Sequence, residues 1–333
     1  MTITSARPVT KTVRRRRALV SVLLWLLVLP GAGWAVLRLG GWERGIAVQL
    51  FAFTPYAAAW TVLPALLALA LRRWLTAAVA VGAVALFAVL VLPRAFADHG
   101  RGPTIGVALH VLTANMEFGG ADPATIVGLV RDNDVAVLAL QEFTPRAVSQ
   151  LKAAGLNDLL PYSSLGDEFG ASGSGLYSRY PITGAGVRRN GGGFNQAYGT
   201  IKPPGATAIA LESVHPLAPS APSSLGGWRT DLAREPHTGP GGTPQILLGD
   251  FNSTLDHEPL RALISHGYRD AADADGKGLV GTWGAYGEPR LPPVTIDHVL
   301  VDKRIGVGYV SVHGLPHSDH RAVLADLWLP AGS

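Results

Sequence analysis

The chain has 333 residues, 48% of them hydrophobic and only 16% charged, against about 25% charged in an ordinary globular domain. That composition argues against a wholly soluble protein and places part of the chain in lipid. With no cysteine present, disulfides, thiolate metal sites and cysteine nucleophiles are excluded.

The formal net charge of +4 is unevenly spread. From Gly100 onward 17 Lys and Arg face 22 Asp and Glu, a net of −5, and the part before it carries +9. The basic end therefore suits an anionic membrane leaflet, and the rest of the chain lacks the broad positive surface of a nucleic-acid binder.

Residues 1–17 are a basic N-terminus, with Lys11 and Arg14 to Arg17. Ala18 to Leu37, Gly45 to Leu71 and Trp74 to Pro93 contain no charged residue, and about 20 apolar residues cross a bilayer. Residues 18–97 thus read as three transmembrane helices. Arg14 to Arg17 and the Arg72–Arg73 pair stay cytoplasmic under the positive-inside rule, which puts everything after Pro93 outside; Arg94 and Arg101 run against this orientation. A secretory signal would mimic the first span and still leave two. The expectation is a multi-pass cell-membrane protein, N-terminus cytoplasmic, held in the bilayer by three spans.

Residues 98–103 turn polar and read as a linker, and 104–333 as one soluble domain. Strands are expected at Ile105 to Ala114, Val135 to Leu140, Gly175 to Ser178, Ala206 to Val214, Gln245 to Leu248, Thr295 to Val301 and Arg321 to Trp328. Helices are expected at Pro123 to Arg131 and Pro145 to Ala154, with Pro145 in a first turn. The Gly/Pro-rich stretches 184–205 and 216–244 read as long surface loops. The order is α+β with many strands, compatible with two packed sheets flanked by helices.

Polar residues recur where these strands end: Asn115 in LTANMEF, Glu142 in LALQEF, His215 in LESVHP, Asp250 and Asn252 in LLGDFNS, Asp297 in TIDHVLV, and Asp319 with His320 in HSDHRAV. Buried strands that end in carboxylate, amide or imidazole groups need a reason, because unpaired burial is costly. Taken in order, these motifs resemble the endonuclease/exonuclease/phosphatase superfamily, which includes deoxyribonucleases, abasic-site endonucleases, neutral sphingomyelinases and inositol-polyphosphate 5-phosphatases. The resemblance spans roughly Ile105 to Leu329. It implies a four-layer αββα sandwich and a phosphoesterase using Mg²⁺ or Mn²⁺, hard cations that take carboxylate and amide oxygens.

By that resemblance Glu142 is the leading metal ligand, with Asn115 and Asp319 beside it. Asp250 positions or deprotonates the attacking water. Asn252, expected to alternate with Asp250 on one strand end and so share its face, holds a phosphate oxygen, as Asn115 also could. His320 bonds the phosphate while Asp297 fixes its tautomer, and His215 stabilises developing charge or the leaving group; a packed loop histidine before Pro216 is the alternative. Arg179 in LYSRYPI matches a phosphate-binding arginine of some nucleases, and a surface strand-end arginine fits it equally. His298 points away from Asp297's face and reads as structural.

No GxSxG elbow, HExxH or GxxxxGK[ST] pattern is present. The expected activity is hydrolysis of phosphodiester or phosphomonoester bonds at the outer membrane face, on a phospholipid headgroup or similar substrate ahead of nucleic acid. The alternatives are a membrane-anchored nuclease and a non-catalytic receptor or scaffold of the same fold. No obligate protein partner is evident.

Overall fold

The computed structural model describes residues 9–97, 102–103, 105–284 and 291–332; most of the expected linker lies outside them. The chain divides into two units, the first made of the chain up to Trp42 with Phe53–Leu92, the second of Glu43–Ala52 with Pro93–Ser333.

Among its described residues the first unit is helical: α1 (Val9–Leu39), then, after the short α2 (Ala47–Phe51) of the second unit, α3 (Thr54–Ala70) and α4 (Trp74–Val91). Ala65, Ala68, Ala77 and Ala80 are buried here, while Leu26, Leu66, Leu75 and Val89 are each more than half exposed. Large apolar side chains are thus left exposed on these helices, while Val28, Phe87 and Val91 are buried with the alanines. Two segments, Val13–Leu39 and Trp74–Ala95, are long and apolar enough to cross a membrane. The expected middle span is not one helix. Ala47–Phe51 breaks away with Val48 and Phe51 buried, which leaves the 17-residue Thr54–Ala70, at the lower limit of the roughly 17–25 residues a span uses. At the other end of these helices the Arg73 guanidinium donates to the Arg17 carbonyl at 3.1 Å.

The second unit continues as β1 (Val107–Asn115), α5 (Pro123–Asp132), β2 (Val137–Gln141), α6 (Pro145–Ala153), α7 (Leu156–Leu159), β3 (Tyr162–Gly166), β4 (Ser174–Ser178), β5 (Thr183–Arg189) and β6 (Asn195–Ile201). Then come β7 (Ile209–Val214), α8 (Leu225–Ala233), β8 (Gln245–Asp250), α9 (Glu258–Ser265), β9 (Tyr268–Asp270), α10 (Ala271–Ala274), β10 (Asp297–Asp302), β11 (Gly306–Gly314) and β12 (Arg321–Leu329). The strands form two six-stranded mixed sheets, ordered β11-β12-β1-β2-β4-β3 and β5-β6-β7-β8-β10-β9.

Successive residues of a strand face opposite sides, and here the two sides are two different cores. Val111, Val137 and Ala139 meet Leu211, Ile246 and Val299 between the sheets. Their neighbours Leu112, Leu138 and Leu140 pack outward on Ile126, Val127 and Leu151 of α5 and α6. In the second sheet Leu247 and Leu300 face Trp228 and Leu260 of α8 and α9. The result is helix, sheet, sheet, helix. α5 and α6 begin with side-chain caps, Asp122 accepting from Thr125 N and Thr144 from Ala147 N, which satisfies otherwise orphaned donors.

Two expected loops are partly ordered elements. Residues 184–205 contain most of the β5–β6 hairpin, and 216–244 contain α8. The hairpin glycines serve close packing: a Cβ on Gly186 would lie 2.5 Å from Tyr198 Oη, and one on Gly199 2.2 Å from Ile182 Cγ2.

Candidate active site

Register brings the polar strand ends together. β1 and β2 are parallel, with Asn115 beside Gln141, and β12 is antiparallel to β1, so Asp319 and His320 precede it at the same end. In the facing sheet β7 and β8 are parallel, with Val214 beside Gly249, and β10 starts with Asp297 opposite Asp250. Hydrogen bonds join the two ends: Asn115 Nδ2 donates to Glu142 Oε1 at 3.2 Å and to Asp250 Oδ2 at 3.0 Å, and Gln141 Nε2 to Ser213 Oγ at 2.9 Å.

The chain leaves these strands in left-handed turns. Glu117 (φ 43°), Phe118 (φ 55°), Glu142 (φ 53°) and Asn252 (φ 47°) occupy a region that side-chain-bearing residues seldom adopt, and such strain gathers at functional sites. The turns aim backbone amides at the polar side chains. Phe118 N donates to Glu142 Oε2 at 2.9 Å, Asn252 N to Asp250 Oδ1 at 2.8 Å, and Glu117 N to Asn115 Oδ1 at 2.9 Å.

Burial sets the protonation states. It lifts the Asp250 carboxyl to about 7, with Asp297 adding to the rise and His320 opposing it. Burial pulls the other way on His320, but Asp297 and Asp250 outweigh it and hold the imidazole at about 10. His320 is therefore an imidazolium, with Nδ1 donating to Asp297 Oδ2 at 3.0 Å. Burial, then the charge of His320, lowers His215 to about 3, so that ring is neutral. His215 Nε2 stands 3.6 Å and His320 Nε2 3.7 Å from Asp250 Oδ2, just beyond hydrogen-bond length. His215 Nδ1 is buried without a hydrogen-bond partner. A carboxylate, a cation and a neutral imidazole thus converge without closing on one another, an arrangement that can grip a phosphate and a water.

His215 is held through its backbone. Gln196 Oε1 accepts its N–H at 3.3 Å, Asn190 Nδ2 donates to its carbonyl at 2.8 Å, and the Phe194 ring lies 4.7 Å from the imidazole. Gln196 Nε2 in turn donates to Glu212 and Glu235 at 2.9 and 3.1 Å, a buried carboxylate pair sharing the Arg188 guanidinium.

Two donor sets could take a metal. Asp250, Asp297 and His320, all buried, bring one ligand atom each within 4.8 Å of one another. Glu142 is different. Burial first, and Asp319 in addition, raise its carboxyl against the amides of Phe118 and Asn115 and the charge of His320. Asp319 accepts from Trp283 Nε1 at 2.8 Å. A carboxylate destabilised by burial and a like charge fits a hard divalent cation.

The structure places the remaining expected residues as follows. Arg179 is not brought to the cluster: β4 runs antiparallel to β2, with Ser178 beside Val137 and Ser174 beside Gln141, so Arg179 sits at the far end, paired with Asp134 at 2.7 Å. Asn252 lies beyond the end of β8, so strand alternation does not place it; its turn does, and its Nδ2 donates to the Pro216 carbonyl at 3.1 Å. Asn115 turns its oxygen to Glu117 N and offers Nδ2 to the carboxylates, so it joins Glu142 to Asp250 as a donor. His298 does face away: Nδ1 meets Asp270 Oδ2 at 2.5 Å and Nε2 the Ser253 carbonyl at 2.8 Å. Both partners are acceptors, so both ring nitrogens carry protons.

Glu117, Trp283, Phe194 and Gln196 also bound the site. The N-M-E run after Asn115 could have pointed to Glu117, whose Oε2 accepts from Asp319 N at 2.8 Å; no comparable signal marks the other three.

Residues 112–320 match the model of the Endonuclease/Exonuclease/phosphatase family. No curated protein matches the sequence. Among solved structures, the endonuclease/exonuclease/phosphatase from Beutenbergia cavernae DSM 12333 is similar with 19% identity and TM-score 0.52, over 67% of this chain and 72% of that one. D. rerio TDP2 complexed with a single-strand DNA product has 15% identity and TM-score 0.52, over 66% and 98%. Sphingomyelinase C from Streptomyces griseocarneus has 17% identity and TM-score 0.50, over 66% and 99%.

Proposed function

We propose, starting from the fact that this chain belongs to the Endonuclease/Exonuclease/phosphatase family, that it hydrolyses phosphoesters of lipid headgroups or similar substrates from the outer face of the cell membrane. Members of the family are metal-dependent phosphodiesterases, nucleases and phosphatases, and the chain is a metal-dependent hydrolase at that level. The observation that carries the reading is the joining of Asn115, Glu142, Asp250, Asp297 and His320 at the facing ends of two sheets.

In this reading Glu142 and Asp319 would hold Mg²⁺ or Mn²⁺, which would neutralise phosphate and stabilise the leaving oxygen. Asp250, whose pKa near 7 suits a base at neutral pH, orients and deprotonates the attacking water. His320, charged by its contact with Asp297, holds a phosphate oxygen. Asn252 presents its amide to the same phosphate. His215, neutral and with Nδ1 free of other partners, bonds the phosphate or the leaving group.

Lipid is favoured over nucleic acid on two grounds. Arg179 is engaged with Asp134 away from the site, and the net charge of −5 after Gly100 gives little attraction for a polyanion. The apolar helices supply the bilayer anchor, with three crossings and the Arg14–Arg17 and Arg72–Arg73 ends in the cytoplasm. The full-length chain in detergent micelles or nanodiscs should hydrolyse bis-p-nitrophenyl phosphate and phospholipid vesicles with Mg²⁺ or Mn²⁺ and not with chelator. Activity should vanish in Glu142→Ala and fall steeply in Asp250→Asn. Preferential cleavage of double-stranded DNA would replace the lipid reading with the nuclease one, and no cleavage of any substrate would leave a scaffold.

A further inference from the structure

The loop that follows β8 is unusual. From Phe251 to His257 it has no regular structure, and every residue except Asn252 is buried. Loops normally run over the surface, because a buried one must find partners for all its backbone groups. Near the site those partners come from β10 and the residue before it: Phe251 N donates to the Ile296 carbonyl at 2.9 Å, and His298 Nε2 to the Ser253 carbonyl at 2.8 Å.

The far corner of the loop is held by segments that precede the family-matched region. Arg94 forms a two-pronged pair with Asp256, NH1 to Oδ2 at 2.7 Å and NH2 to Oδ1 at 2.8 Å, with the two side chains 8% and 0% exposed. His257 Nε2 donates to the Val48 carbonyl at 2.8 Å. Its Nδ1 accepts from Thr254 N at 2.8 Å, so the ring spans from the loop to Val48. Glu43 Oε1 accepts from Glu258 N at 2.5 Å, a cap for α9 supplied from elsewhere in the chain, since His257 gives it no side-chain cap. Val48 is fully buried with Phe251, Trp228 and Leu260. A carboxylate as enclosed as that of Asp256 depends on its partner.

We propose that Arg94 and the segment Glu43–Val48 are positioning elements of the active site, holding the Asp256–Glu258 corner and thereby the Asp250–Asn252 turn in place. Both belong to the second unit and lie before the family-matched residues 112–320, so residues outside that match contribute to the catalytic geometry. This rests on the phosphoesterase reading for its kinetic arm alone.

The test uses the full-length chain in detergent micelles, with Arg94→Met and Arg94→Lys. Lysine keeps the charge and loses the fork, so this variant remains folded if Arg94→Met does not. Arg94→Lys should lower kcat by about threefold and Arg94→Met by about tenfold, with KM within about twofold, because small misplacements of reacting groups are costly. In an Asn252→Ala background the Arg94→Met loss should shrink to nothing, since groups acting through one another are not additive. Hydrogen exchange gives a reading independent of activity: Arg94→Lys should speed exchange at Asn252 N–H as well as at Asp256 and Glu258. Unchanged kcat in both variants, or faster exchange confined to Asp256–Glu258, overturns the proposal. A wild-type chain that hydrolyses nothing sinks the phosphoesterase reading, and the exchange pattern still decides this one.

Discussion

At the residue scale the two candidate metal sets can be separated. A ligand that binds only the folded state stabilises it by about 2.7 kcal/mol at a hundred times its Kd. If Glu142 and Asp319 hold the cation, Mg²⁺ should raise the unfolding temperature of the wild type and of His320→Ala but not of Glu142→Gln. Loss of the shift in His320→Ala with retention in Glu142→Gln would move the cation to Asp250, Asp297 and His320. The buried pair behind His215 makes a second prediction. Burial, with Glu212 adding, raises the Glu235 carboxyl to about 8 against the pull of Arg188. A folded-state pKa above the unfolded one means that the folded protein binds the extra proton, so this stability is complete below about pH 4.5 and is lost as pH rises through 8. Glu235→Gln should therefore flatten the decline in unfolding temperature between pH 6 and pH 9; an unchanged decline would show that Glu235 is ionised throughout. Among single residues, the motif positions were legible because each needs a particular functional group. Arg179 stayed open between two readings because a strand-end arginine looks alike at either end of a sheet, and only the antiparallel pairing of β4 with β2 says which end it occupies.

At the scale of elements, the strands buried on both faces were easiest to read. β1, β2, β7, β8, β10 and β12 are apolar runs that each serve two cores. The β5–β6 hairpin was missed for a physical reason. β5 is largely exposed, and Gly186 on β5 and Gly199 on β6 accommodate Tyr198 and Ile182, so the stretch has the composition of a loop and the geometry of a strand. That hairpin matters to the site because Gln196 sits on it. Gln196→Leu removes the acceptor for His215 N–H and should lower kcat by about tenfold, while in a His215→Ala background it should cost nothing more. Equal losses in both backgrounds would make Gln196 merely structural. The helix starts are more ordinary. Asp122→Ala should destabilise the chain by about 1 kcal/mol through loss of the α5 cap, measurable as a lowered unfolding temperature with kcat unchanged.

At the scale of the whole molecule, apolar runs and strand order pointed to an anchor followed by a layered hydrolase, but they drew the boundary between the two too cleanly. A cut near Gly100 looks natural in the sequence, yet it would remove Arg94 and Val48 from beneath a buried loop, so a chain starting there should unfold at a lower temperature than the full-length protein. Local patterns carry no trace of such long-range docking. Nor do they reveal how the two sheets are related. Their strand orders, β11-β12-β1-β2-β4-β3 and β5-β6-β7-β8-β10-β9, are one wiring diagram used twice, each with a single parallel pair at its centre. Asn115 ends β1 and His215 follows β7, while Glu142 follows β2 and Asp250 ends β8. The two copies share a plan and differ in what they bring, so neither half is a smaller version of the enzyme. Hydrolysis belongs to the seam, where Ala139 and Ala197 lie in the core that both sheets share.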